Sequence, residues 1–182
     1  MSRKYKFRDQ EQLYFISFAV VYWIDVFVRE EYKELLLDSI RFCQREKGLE
    51  IYAWCIMTSH VHLIIGSNKN KMGDIIRDLK SHTSRQLKQT IKNHPQESRK
   101  EWMLWMMKRA GLKNSNNKEF QFWQQHNQPL VLDTNKIIEN TIDYIHNNPV
   151  AAGFVDMPIQ YKYSSARDYC DEKGLLDIIL IE

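Results

Sequence analysis

Two imidazoles, His60 and His62, together with a phenol and an amide four residues apart, Tyr144 and Asn148, supply the side chains needed to hold one divalent ion and attack a phosphodiester. The histidines sit in Met57-Thr58-Ser59-His60-Val61-His62-Leu63-Ile64-Ile65-Gly66. This apolar, β-branched run predicts a strand, in which residues two apart project from one face. Tyr144 and Asn148 lie in Ile142-Asp143-Tyr144-Ile145-His146-Asn147-Asn148-Pro149, a helical segment expected to end at its proline. A spacing of four stacks their side chains on one helix face. One strand face and one helix face can therefore build a single site, and the combination suggests a tyrosine nuclease acting on DNA.

The elements that must position these groups follow from periodicity. Leu13 to Ile24 is an aromatic and β-branched apolar run, too short for the roughly 20 residues of a membrane span, and predicts a buried strand. Arg29 to Lys47 has a helical period stopped by Gly48, and Leu49 to Met57 is a second strand. Thr58-Ser59 is short enough to be the hairpin turn into the histidine strand. From Met72 to Asn93, Ile75, Ile76, Leu79, Leu87 and Ile91 form an apolar stripe opposite Arg77, Lys80, Arg85, Lys88 and Lys92. Glu97 to Ala110 reads as a further helix and Gly111 to Lys118 as a polar loop. Phe120 to Trp123 and Pro129 to Leu132 are short candidate strands. The last helix, Asn135 to Asn148, has Ile137, Ile138, Ile142 and Ile145 on its apolar side, and Asn147 is the expected cap. The order β, α, β, β, α, β predicts an α+β, ferredoxin-like (βαββαβ) antiparallel sheet with helices on one face, interrupted by a helical insertion.

Composition sets bounds on this reading. A chain of 182 residues, 43% hydrophobic, is long enough for one domain with a real core, taken here as 1–182 with a possible insertion at 93–118 and a tail at 153–182. The net charge of +3 is only mildly basic, so a nucleic-acid surface must come from local clustering of Lys and Arg. Three cysteines without paired-ligand spacing, and a basic start without an apolar signal core, favour a cytoplasmic, reduced setting.

Several stretches resemble one known family. His60-Val61-His62, with Met57 before it and Leu63-Ile64 after it, and the block Tyr144-Ile145-His146-Asn147-Asn148-Pro149-Val150-Ala151-Ala152-Gly153-Phe154-Val155 resemble the single-tyrosine HUH transposases, particularly the REP-associated tyrosine transposases. Trp23-Ile24-Asp25-Val26-Phe27, Leu79-Lys80-Ser81-His82-Thr83 and Tyr161-Lys162-Tyr163-Ser164-Ser165-Ala166 are similar to the same family. The resemblance implies that His60, His62 and Asn148 ligate Mg²⁺ or Mn²⁺ and that Tyr144 is the nucleophile. It also implies a ferredoxin-like fold, single-stranded DNA carrying a hairpin or palindromic repeat as substrate, and either a monomer or a homodimer.

The chemistry suits these residues. A metal on a nonbridging phosphate oxygen neutralises charge in the transition state, and a phosphotyrosine link conserves bond energy, so no nucleotide is required. The absence of a Gly-rich phosphate loop followed by Lys agrees with that. Arg77, Lys80, Arg85 and Lys88 are candidates to grip the DNA backbone, with Lys108, Arg109 and Lys113 extending the surface and Trp102 and Trp105 available to stack on unpaired bases. Three other readings stand beside this one. One is a hairpin DNA- or RNA-binding protein that does not cut, another is Zn²⁺ held by His60, His62 and Cys55, and the last is a phosphodiester hydrolase that uses water.

Overall fold

The computed structural model describes residues 7–114, 119–125 and 128–181. Most of the basic N-terminal stretch, the end of the Asn-rich loop through Lys118 and His126 lie outside the described residues. Four strands, β1 (Leu13–Ala19), β2 (Leu49–Ile56), β3 (His60–Ser67) and β4 (Leu130–Leu132), form an antiparallel sheet in the order β2-β3-β1-β4. The helices are α1 (Glu30–Lys47), α2 (Met72–Asn93), α3 (Lys100–Leu112) and α4 (Asn135–Ala151). This is the expected α+β, ferredoxin-like arrangement, with α3 inserted before the last strand and α4 following it.

Each strand alternates between two unequal interiors. Val61, Leu63 and Ile65 of β3, with Tyr14, Ile16 and Phe18 of β1, face α1 and α2 in the larger core. Ile64, with Leu13 and Phe15 of β1, faces Ile142 and Ile145 of α4 on the other side. So α1 and α2 share one face, as predicted, while α4 covers the opposite one. In β2 a bulge at Tyr52 switches the alternation, because Ile51 opposes Ile65 while Ala53 opposes Ile64. Leu49 and Ile51 before it and Trp54 and Ile56 after it can then all enter the larger core, leaving Ala53 and Cys55 beneath α4.

Two boundaries of the elements that carry the candidate site differ from the sequence reading. The first strand stops at Ala19, because residues 20–28 make two short helical turns in which Tyr22 and Trp23 are left-handed, at φ 56° and 57°. Pro149 lies inside α4, which runs on to Ala151. A proline offers no N–H to the carbonyl four residues before it and crowds that carbonyl, but with only Val150 and Ala151 following, the disturbance stays in the last turn. Asn147 therefore does not cap the helix; its amide donates to the Asp143 carbonyl within it. Gly48 does end α1, in the left-handed conformation expected of a C-terminal glycine.

The segment 93–118 is integrated with the rest of the fold as far as it is described. Met103, Met107 and Ala110 of α3 enter the larger core, and Gly111 lets the backbone of Phe120 pass close by. Trp123 makes a bridge with Val20 and its indole donates to Thr83 of α2 at 3.0 Å. The tail also packs on the sheet. Ser165 N donates to Trp54 O, and Ile56 N to Tyr163 O, so residues 163–165 run along the free edge of β2.

Candidate active site

The strand register turns His60 and His62 toward α4, with their ring centroids 4.7 Å apart. Their cross-strand partners on β1 are Ala19 and Ser17. The small side chains at these positions leave room beside the imidazoles. His62 is 4% exposed, lies parallel to Phe15 at 5.7 Å and meets the Tyr144 ring edge-on at 5.4 Å. Phe15 also contacts Tyr144, at 6.1 Å. Tyr144 itself is 54% exposed, so its hydroxyl is open to a large substrate while its ring rests on the buried histidine. Asn148, one turn further along α4, donates its amide N–H to the Tyr144 carbonyl at 2.8 Å, which leaves Oδ1 as its available donor atom toward a cation.

Electrostatics favour metal-binding forms of both histidines. Burial pushes His62 down to about 3, the charge of His60 adds to the shift, and Asn148 opposes it. Burial lowers His60 as well. Both rings are therefore neutral at pH 7 and keep the lone pairs a metal requires. His60 Nδ1 pairs with Ser59 Oγ at 3.2 Å, which leaves Nε2 for a ligand. Apart from the Asn148 amide, whose interaction with the ring opposes the shift, the His62 nitrogens have no partner, and these two atoms are half of the four buried side-chain polar atoms without a well-aligned hydrogen bond among the described residues. Buried polar atoms are rarely left unpaired without a functional reason, and a metal bond would satisfy one of them. A set of two imidazoles and one amide oxygen, carrying no formal charge, fits Mg²⁺ or Mn²⁺ completed by phosphate and water.

A zinc site with Cys55 fits less well. Burial raises the Cys55 thiol far above its ordinary range, and its sulfur lies 3.6 Å from that of Met57. Among the described residues no cluster of three or more His, Cys, Asp or Glu is placed to hold a metal.

The predicted basic residues of α2 are not brought to this site, because α2 lies across the sheet from α4. Arg77 is paired with Asp74 at 2.6 Å and Asp78 at 3.0 Å. Lys80 turns inward, donating to the Gln124 carbonyl and lying 5.5 Å from the Phe18 ring, and burial lowers it to about 8. Arg85 and Lys88 remain exposed without an acidic partner among the described residues, although Lys88 sits over Phe120 at 4.6 Å. On α3, Lys108, Arg109 and Lys113 are exposed, as are Trp102 and Trp105, with Arg109 over the Trp105 ring.

The sequence reading assigned no role to Ser165, and the structure supplies one. Its hydroxyl accepts from Trp54 N at 2.9 Å and pairs with His146 Nε2 at 2.8 Å. It thereby ties α4, midway between Tyr144 and Asn148, to β2. Phe15 and Trp23, the ring neighbours of His62 and His60, were likewise missed. Phe15 shares the period-2 face that pairs with β3, but strand register was needed to place it.

This is a ferredoxin-like protein with a histidine pair on the central strand and a tyrosine on a facing helix. The family described as transposase IS200-like matches residues 11–109, more than half of the chain, and the chain belongs to that family. The match contains His60 and His62 but ends before α4, so Tyr144 and Asn148 are candidates through their interactions with His62, a ring contact and a side-chain hydrogen bond. A curated protein of Haemophilus influenzae named as a REP-associated tyrosine transposase is 28% identical over 155 residues, which cover 80% of this chain and 78% of that protein. A solved structure of a REP-associated tyrosine transposase bound to a REP hairpin superposes with a TM-score of 0.65 at 19% identity, over 98% of this chain and 95% of that one, and shares its fold. Among the described residues no helix is long and apolar enough to cross a membrane.

Proposed function

We propose that this chain is a metal-dependent single-strand DNA endonuclease and strand transferase that acts on DNA hairpins or palindromic repeats through a 5′-phosphotyrosine intermediate. The ring contact of Tyr144 with His62, 5.4 Å between centroids, carries the reading, since it joins the nucleophile to the histidine pair within one chain. The hairpin substrate is drawn from the likeness to REP-associated relatives. A cytoplasmic setting gives access to DNA and keeps the cysteines reduced.

Tyr144 Oη forms a bond to phosphorus as the bond from phosphorus to the 3′ oxygen breaks. The phenol loses its proton and the departing oxygen gains one, leaving a free 3′-hydroxyl and DNA attached to tyrosine through its 5′ phosphate. Attack by another strand's 3′-hydroxyl reverses the exchange, regenerates Tyr144 and joins different DNA. His60, His62 and Asn148 would hold Mg²⁺ or Mn²⁺, whose contribution when bound is to polarise the phosphate and offset its charge. Burial keeps the two imidazoles neutral for that task, and the hydrogen bond from Asn148 to the Tyr144 carbonyl fixes the orientation of its amide.

The test is incubation with Mn²⁺ and a pool of single-stranded hairpin oligonucleotides, resolved on a denaturing gel. A covalent adduct is expected with the wild type and none with Tyr144→Phe, whose melting temperature should match that of the parent. Retarded but never covalent DNA would replace the nuclease by a hairpin-binding protein. Cleavage that survives in Tyr144→Phe would indicate water as the nucleophile.

A further inference from the structure

The segment after β1 spends backbone strain on two aromatic rings that it does not bury. Tyr22 and Trp23 both occupy the left-handed region, which disfavours residues with a Cβ, yet they are 45% and 59% exposed. The turn is held firmly around them. Val20 N donates to Ser59 O, Val21 N to Phe122 O and Phe27 N to Thr58 O, while Val21, Ile24, Val26 and Phe27 are buried. Glycine would serve the conformation better, so the turn's own packing does not account for the rings.

Position gives the rings a use. Trp23 meets the His60 imidazole edge-on at 5.3 Å, while Tyr144 and Phe15 meet the other histidine of the pair, His62. The same turn is joined to the start of α3 by Arg99, which donates to the Asp25 carboxylate at 2.8 Å. Further along α3 stand the exposed Trp102 and Trp105, the latter beneath Arg109. Exposed aromatics interleaved with a cation, beginning beside a phosphodiester-cleaving site, match the demands of unpaired nucleotides, whose bases need flat apolar surfaces and whose backbone needs positive charge.

We propose that Trp23 is a stacking platform for an unpaired base of the single-stranded DNA that flanks the hairpin, positioning the scissile phosphate at the histidine pair. The proposal rests on the nuclease reading above for the identity of its ligand. It assigns recognition of the unpaired flank to the turn at residues 20–25, and Trp102 and Trp105 lie on the helix which that turn anchors.

Binding separates this proposal from catalysis. In the full-length Tyr144→Phe protein with Mn²⁺, affinity is measured for a blunt hairpin and for the same hairpin carrying a short single-stranded extension on its 5′ or 3′ side. The extended form should bind about tenfold tighter, the worth of one stacked base. Adding Trp23→Gly should abolish that preference, leave blunt-hairpin affinity unchanged and hold or raise the melting temperature, because glycine relieves the left-handed strain. Trp23→Phe should retain most of the preference. An intact preference in Trp23→Gly, equal losses for both DNAs or no preference in the parent would overturn the platform. If wild-type protein forms no covalent adduct while Trp23→Gly still erases the preference, the platform stands and the nuclease reading falls. If an adduct forms and the preference is insensitive to Trp23, only the platform falls.

Discussion

Glu97 and His62 are buried to almost the same degree, 3% and 4% exposed, on opposite sides of the sheet, and they are treated in opposite ways. Glu97, just before α3, accepts hydrogen bonds from Arg29 Nε at 2.8 Å, Tyr32 Oη at 3.4 Å and Arg99 N at 3.1 Å. His62 has no well-aligned hydrogen bond at either nitrogen, and only the Asn148 amide interacts with its ring as a hydrogen-bonding group. On the side of α1 and α2 this carboxylate is part of the scaffold and is fully satisfied, although the Trp54 indole N–H in the same core is not. On the α4 side the imidazole is left unmatched, beside a half-exposed tyrosine. The difference separates a carboxylate built into the scaffold from the imidazole to which the proposed function assigns a ligand.

The contrast breaks most visibly in adjacent residues of β3. Leu63→Ala opens a cavity in the larger core and should cost about 2–5 kcal/mol in urea unfolding. His62→Leu should leave the metal-free protein equally stable or more stable, by up to about 1 kcal/mol, because an unsatisfied polar group is replaced by an apolar one. The same change should abolish Mn²⁺ binding in calorimetry and adduct formation on the gel. A large loss of stability in His62→Leu would mean that the histidine is structural after all.

A smaller effect is expected at the link between the two regions. Ser165→Ala deprives Trp54 N and His146 Nε2 of their shared partner and should cost about 1–3 kcal/mol. It should also lower the adduct rate with little change in hairpin affinity, since α4 carries the proposed nucleophile while the proposed DNA surface extends beyond it. Equal effects on rate and affinity would argue against a positioning role.

Glu97 provides the pH test. Burial alone would raise its pKa, but the Arg29 hydrogen bond, the Arg99 N–H and the charges of both arginines bring it below 4.5. A carboxylate with a depressed folded pKa contributes stability that is fully present above the unfolded value and is lost as pH falls through the folded one. Melting temperature should therefore decline below about pH 4.5, and Glu97→Gln should flatten that decline while lowering stability at pH 7. An unaltered acid limb in Glu97→Gln would assign the loss to other groups.

The smallest effect concerns the remote basic face. Arg85→Glu with Lys88→Glu should weaken hairpin binding and reduce the salt slope by about 2 if each residue neutralises one phosphate. Because α2 lies behind the sheet, adduct formation at saturating DNA should be unaffected. No change in slope would exclude this face of α2 from the DNA surface.

Much of the site was legible because it depends on local periods. A strand repeats every two residues, so His60 and His62 had to share a face; a helix nearly repeats every four, so Tyr144 and Asn148 had to stack. The apolar runs and Gly48 located α1, β2 and β3 for the same reason. Local sequence periods were therefore enough to put each residue pair of the candidate site on one face and to give the antiparallel α+β scheme. Only the tertiary structure decided that α4 lies on the sheet face away from α1 and α2, that β1 ends at Ala19 in a left-handed aromatic turn, and that Ser165 reaches His146. It also separated the basic stripe of α2 from the histidines, turning Lys80 inward and pairing Arg77 with its own neighbours. Those outcomes rest on contacts between residues far apart in the chain, where packing, strand register and a single bulge at Tyr52 outweigh local preference.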